Sequence, residues 1–349
     1  MSFLPINSED FVVSADSIVS TLWSNKQTEL TQFFTSSNAN NQVEKFFYLP
    51  VFDKIESDSS AEVQYQVAYG HKAGSGSGAF NTLIPGISPS RVTYGQYRTL
   101  VNGDENTNFN FGTGNSDADA FYVINVERAR YKESLFPGTF NLQLSDYVSS
   151  SRILSLTDNS KDVSTLTFTD AGRVFTIVSG SNGSTHTVPP ISSSGTTAGS
   201  TPSGEYGKFL PDVGLLILNA SALSLDFASG GLGMPADLAA TDAALNSNNN
   251  TLFERFISGT FKLNSQETIT SDFVFVRLPN ADFNYTTNPS MISGSGEFVY
   301  SSLINNPQTY VTTVGMYNDN NELLAVAKMS KPLVKDFTKE ALIRVKLDF

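Results

Sequence analysis

The chain has 349 residues, with 22 Lys and Arg against 34 Asp and Glu, a net charge of −12, no Cys, 26 Phe and 13 Tyr. That acidic balance argues against a nucleic-acid surface, which needs clustered cations, and the lack of thiols excludes disulfides, cysteine nucleophiles and cysteine-ligated metals. With 40% hydrophobic and only 16% charged residues the chain can bury enough to offset its entropy, and its length suits more than one domain.

The opening MSFLPINSEDF has no basic stretch followed by an apolar one, so no secretory leader is expected there. The segment SEDFVVSADSIVSTLW reads as a short helix capped by Ser8, although its β-branched content works against that assignment. In AEVQYQVAYG, Val63, Tyr65 and Val67 point one way and Gln64 and Gln66 the other, the two-residue period of a half-buried strand. Gly70–Ser90 is Gly/Ser-rich and reads as a loop. FYVINVERARY puts Tyr122, Ile124 and Val126 on one face, Pro137-Gly138 makes a tight turn, and GTFNLQLSDY groups Phe140, Leu142 and Leu144.

Farther on, VSTLTFTD, GRVFTIVSG and VGLLILNASALSLDF read as strands around a long loop, Ser179–Gly207. MPADLAATDAALNSNNNTLFERFI reads as a helix with Pro235 in its first turn and Leu238, Leu245, Leu252 and Phe253 along one side, interrupted at Asn248–Asn250. SDFVFVRL is a strand. Val311–Tyr317 and Leu323–Lys328 form a hairpin about an Asn/Asp turn, with Pro332 ending the second strand. A further helical turn falls at Lys335–Glu340, and the terminal strand uses Leu342, Leu347 and Phe349 to close a sheet. The fold class expected is mostly β, antiparallel sheets in sandwich-like domains with a few short helices. Residues 1–148 would form an N-terminal platform and 149–262 an inserted β-rich domain with the Ser/Gly loop and a helix. Residues 263–349 would be a C-terminal segment completing the platform. No apolar run nears the ~20 residues that span a bilayer.

Chemistry finds little to work with. The two histidines, His71 and His186, both fall in Gly/Ser loops and read as solvated, with no G-x-S-x-G elbow nearby and too few of them for a zinc site. GHKAGSGSGAF lacks the lysine placement of a phosphate loop. Asp104, Glu105, Asp117 and Asp119 could offer oxygens to calcium but lack EF-hand spacing, so solvated turns are expected. Paired carboxylates able to hydrolyse a glycan cannot be singled out among 34 acids. No catalytic, cofactor-binding or metal residue is therefore assigned, and an enzyme is not expected.

Three blocks carry a resemblance. QTYVTTVGMYNDNNELLAVAKMSKPLVKDFTKEALIRVKLDF (308–349) resembles a hairpin of phage baseplate and tail-fibre attachment proteins. FVFVRLPNADFNYTTNPSM (273–291), and FYVINVERARYKESLFPGTFNLQL (121–144) with its basic Arg128, Arg130 and Lys132, are similar to segments of the same virion proteins. The likeness is to structural proteins of contractile-tailed, myovirus-type phages, particularly those infecting cyanobacteria. It implies a non-enzymatic virion component, most simply a baseplate wedge subunit, assembled in the host cytoplasm. Its partners would be other tail and baseplate proteins and further copies of itself, without nucleic acid or membrane insertion. A host-binding or tail-fibre protein, using the two Gly/Ser loops, is the alternative, with a polysaccharide hydrolase behind it.

Overall fold

Residues 4–35, 48–74, 88–111, 117–185, 206–227, 230–235, 247–286 and 288–348 are described by the computed structural model, and strands dominate them. In chain order the elements begin with β1 (Phe11–Thr21), β2 (Glu29–Leu30), β3 (Phe34–Thr35), β4 (Leu49–Phe52) and β5 (Val63–His71). Next come α1 (Pro89–Asn102), β6 (Ala120–Val126), β7 (Ser134–Leu135), β8 (Asn141–Ser145), β9 (Ile153–Asp158) and β10 (Thr167–Thr169). They continue with β11 (Gly172–Ser181), β12 (Ser184–Thr185), β13 (Gly207–Leu210), β14 (Leu215–Asn219), α2 (Ala220–Ser224) and α3 (Ser247–Phe256). The last are β15 (Phe261–Lys262), β16 (Asn264–Leu278), α4 (Ser302–Asn305), β17 (Thr309–Tyr317), β18 (Leu323–Lys335) and β19 (Ala341–Asp348). Two packing units result: one is Ile18–Glu267, the other Met1–Ser17 with Thr268–Phe349.

The larger unit is built on one antiparallel sheet running β2-β15-β8-β9-β11-β13-β14-β6-β5-β4-β3, curled into a half-barrel. Its two end strands, β2 and β3, are joined by only Thr31, Gln32 and Phe33. Four Cα steps reach at most about 14 Å, so the sheet must curl enough to bring these ends within that distance. Aromatic side chains fill the inside. Trp23 lies 4.9 Å from Phe261, Tyr65 5.2 Å from Phe256, and Phe140 5.5 Å from Phe209, ring centre to ring centre. α3 adds Leu252, Phe253 and Phe256 to the same core.

The central strands are buried on both faces. Along β6, Tyr122, Ile124 and Val126 enter the barrel core while Phe121 and Val123 enter a second core with Leu215 and Ile217 of β14. α1 covers that outer face with Tyr94, Tyr97 and Val101. Its boundaries follow from local chemistry: Ser88 caps it and accepts from the Arg91 amide, Pro89 fits the first turn, and Gly103 at φ 68° ends it. Tyr65 and Val67 face the barrel as their period requires, but Gln64 is fully buried too. It is held by Ser24, whose amide donates to Gln64 Oε1 at 3.0 Å, and Ser24 Oγ in turn donates to Asp53 at 2.8 Å. A buried amide is tolerated because it is bonded.

Several sequence expectations are corrected. The opening segment is a single 3-10 turn, Ser8–Asp10, followed by β1, because its β-branched residues join a ladder on β16. α1 lies where no element is expected. The segment after Leu218 leaves the sheet as α2, capped by Asn219, whose Oδ1 accepts from the Ser221 amide. Asn248–Asn250 lie within α3 rather than breaking it, since burial of Leu252, Phe253 and Phe256 overrides weak propensity; Leu238 and Leu245 fall outside the described residues. No inserted middle domain separates at 149–262: β9, β11, β13, β14 and β15 belong to the same sheet as β2 to β6. The reason is non-local pairing, with β14 between β13 and β6 and β15 between β8 and β2.

In the smaller unit, β16 lies between β1 and β19. The β17–β18 hairpin packs on this sheet through Met316, against Val274 and Val345, with Val314, Ala325 and Ala327 alongside. Strand β18 continues through Pro332 to Lys335, contrary to expectation. The register jumps from Thr313↔Lys328 to Val311↔Leu333, so Pro332 sits in a bulge where its missing N–H is not needed. The helical turn expected at Lys335–Glu340 is instead a single tight turn after Lys335 ends β18, the Lys339 amide donating to Asp336 O at 3.2 Å.

The terminal strand closes the sheet through a different face from the one expected. Ile343, Val345 and Leu347 face the hairpin, whereas Leu342 is 61% exposed and Phe349 lies outside the described residues. Leu342 and Leu347 are an odd number apart and so point to opposite sides. Val345→Ala should therefore cost about 2 kcal/mol in urea unfolding, and Leu342→Ala no more than about 0.5 kcal/mol. Equal costs would mean the face is misassigned.

Candidate interaction surface

A strand normally hides one face, but β1 hides neither. Every residue of Phe11–Thr21 except the half-buried Ser14 is exposed, including Phe11, Val12, Val13, Ile18 and Val19. It is also an end strand of its sheet, so one row of backbone donors and acceptors carries no ladder among the described residues. Native edges of this kind are ordinarily blunted by charge, proline or cover. Here only Asp16 supplies a charge within the strand.

The hairpin carries a second apolar surface on the side away from the sheet. Leu324 is 68% exposed, and Tyr317, Leu323 and Val326 are exposed beside it. The Tyr317 and Leu323 side chains fold over Gly315, where a Cβ would stand 3.0 Å from the tyrosine ring.

The residues singled out for chemistry are placed as follows. His71 is buried at the end of β5, not solvated in a loop: its Nδ1 accepts from the Ala73 amide at 3.1 Å and its ring stacks on Tyr69. The two-residue strand period carries on to His71, which the Gly/Ser-rich sequence after it obscured. His186 lies outside the described residues, as does most of the Gly-rich segment after Gly74. Asp104 binds its own loop. The Thr107 hydroxyl and the Asn106 and Thr107 amides donate to it and hold its pKa down to about 2. Asp117 accepts from Asn108 Nδ2, and the Asp119 carbonyl from the Lys72 amide. Among the described residues no three His, Cys, Asp or Glu side chains gather to hold a metal.

The basic trio does not form an open patch. Arg128 donates to the carbonyls of Tyr131 and Lys132, Arg130 pairs with Glu62, and Lys132 with Glu267 at 2.6 Å. The turn beside it is as expected, with Gly138 at φ 84° and its amide donating to both oxygens of buried Asp158. Burial pushes the Asp158 carboxyl above its ordinary value despite those bonds.

The other buried acids also have structural partners. Asp10 meets Arg277 at 2.7 Å, Asp53 takes Ser24 and the Glu62 amide, and Asp336 takes Thr338. At Asp212, burial works to raise the pKa, but the hydrogen bonds and charge of Arg173 outweigh it and leave the group below its ordinary value. The ionised carboxylate then adds stability above the ordinary carboxylate pKa, and that contribution is lost as pH falls through the lowered one. Arg173→Met should destabilise the larger unit at neutral pH and progressively less in strong acid, measured by denaturant melts across pH. A pH-independent loss would contradict this.

Among the described residues, no helix is long and apolar enough to cross a membrane. No protein-family model, no curated protein and no solved structure matches the chain.

Proposed function

We propose that the protein is a non-enzymatic structural component of a contractile phage tail, with a baseplate wedge position as the specific reading. The observation that carries it is the exposed apolar surface of β1 and the outer hairpin face. An apolar edge strand of this length, with one backbone edge open, is a liability in a free monomer and an asset in a particle where a neighbour covers it. The three sequence blocks that resemble tail proteins support the same reading. Buried Asp10, Asp53, Asp158 and Asp336, engaged in holding a turn or a strand, also suit a scaffold.

In this role the chain works by interface burial, with β1 and the outer hairpin face as the contact surfaces. Labelling purified particles with an antibody to the chain tests the proposal. Label confined to the tail or its base supports it. Absence from particles, or label on the head, overturns it.

A further inference from the structure

Two of the sequence blocks meet at a buried lysine. Lys335, at the end of β18, is 0% exposed, and its Nζ donates to three oxygens: Asn284 Oδ1 at 2.6 Å, Asp336 O at 3.0 Å and Asn280 O at 3.2 Å. All three are neutral amide oxygens. Buried lysines are almost always paired with a carboxylate, because an isolated ammonium loses its hydration without repayment. This one is aimed at a carboxamide instead.

Asn284 is built for that position. It is buried, and its Nδ2 donates to Asn280 O at 2.6 Å, which fixes the amide plane with the carbonyl on the lysine. The residue before it, Phe283, adopts φ 57°. That left-handed conformation is strained for a bulky aromatic and persists only when its surroundings enforce it. Here the Phe283 carbonyl is held by the Thr309 hydroxyl of β17. Strain, burial and aim converge on one pair of side chains.

The geometry points to a covalent link, an intramolecular isopeptide bond between Lys335 and Asn284. The Nζ that donates three hydrogen bonds is an ammonium; it first releases one proton to water, and the amine so formed attacks Asn284 Cγ with its lone pair. The Cγ–Nδ2 bond breaks, and Nδ2 departs as ammonia with the proton that the amine gives up. One amine and one carboxamide become one secondary amide and one ammonia, so no oxidant, metal or outside reactant is needed. The bond ties the Asn280–Asn284 turn to the end of the hairpin, within the smaller unit. This inference does not rest on a place in a phage tail.

The test is the intact mass of the purified full chain after denaturation, followed by peptide mapping. The expected result is a mass one ammonia below that of the sequence and a branched peptide joining Asn284 to Lys335. Lys335→Arg, which keeps a cation but lacks the amine nucleophile, should restore the full mass. Asn102-Gly103 and Asn182-Gly183 can also lose ammonia by cyclising, and the branched peptide separates those losses from the proposed bond. A wild-type mass equal to the sequence, or an ammonia loss that persists in Lys335→Arg without a branched peptide, overturns the proposal.

Discussion

Phe261→Ala should destabilise the half-barrel unit by about 3–5 kcal/mol, the range for truncating a large buried aromatic ring. Strand β15, which carries Phe261, has only two residues, so its side chain rather than its ladder holds it between β2 and β8. The ring is fully buried, 4.9 Å from Trp23, 5.5 Å from Tyr65 and 6.1 Å from Phe140. Removing it takes a partner from all three and leaves a cavity among them in the core. A domain's whole stability is typically about 5–15 kcal/mol, so this one change would consume much of it. Phe168→Ala is the control. That ring is 65% exposed, and its loss should cost no more than about 0.5 kcal/mol. Denaturant unfolding of both variants decides the matter: similar costs would mean that Phe261 is not a core residue.

Gly207→Ala should cost about 3 kcal/mol, near the top of the range for overpacking, although it adds a single methyl group. Gly207 pairs with Leu218 at the start of β13, and a Cβ there would stand 2.1 Å from the carbonyl oxygen of Ile217. The obstacle is backbone, which cannot swing aside as a side chain can. The β13–β14 ladder would have to part, disturbing Leu216 and Leu218 inside the barrel and Leu215 and Ile217 outside it. Gly95, on α1, has open space where its Cβ would be, and Gly95→Ala should be neutral or slightly stabilising. Thermal melts of the two variants should move in opposite directions or differ widely; matching melts would contradict the close approach.

What the sequence reveals depends on how local the cause is. The period of Tyr65 and Val67, the Pro137-Gly138 turn and the Asn/Asp-tipped hairpin are set by neighbours in the chain, and all three are read correctly from it. α1 was also locally written, in Ser88-Pro89 at one end and Asn102-Gly103 at the other, with Tyr94, Tyr97 and Val101 on one side. The adjoining Gly/Ser-rich stretch masked those signals. Along β6 the alternation puts Tyr122, Ile124 and Val126 on one face, as found, but it carries no sign that Phe121 and Val123 on the other face enter a second core. The continuation of β18 through Pro332 depends on a bulge opposite Thr312, which only the register shows. The single sheet uniting 18–148 with 149–262 depends on long-range pairing, which no window of sequence contains.

The interaction surface was legible only in part. FVVSADSIVST reads as apolar, but an apolar segment is ordinarily predicted to be buried, and exposure is set by what packs over it. The Lys335–Asn284 contact joins positions 51 residues apart whose motifs carry no signal of each other.

Residue-level footprinting by hydroxyl radicals, on the free chain and on intact particles, tests the assembly reading most directly. Phe11, Tyr317, Leu323 and Leu324 should react readily in the free chain and become protected in the particle, while buried Phe261 stays protected in both. Equal reactivity of those four side chains in the two states would mean that no neighbour covers them, and the scaffold reading would fall.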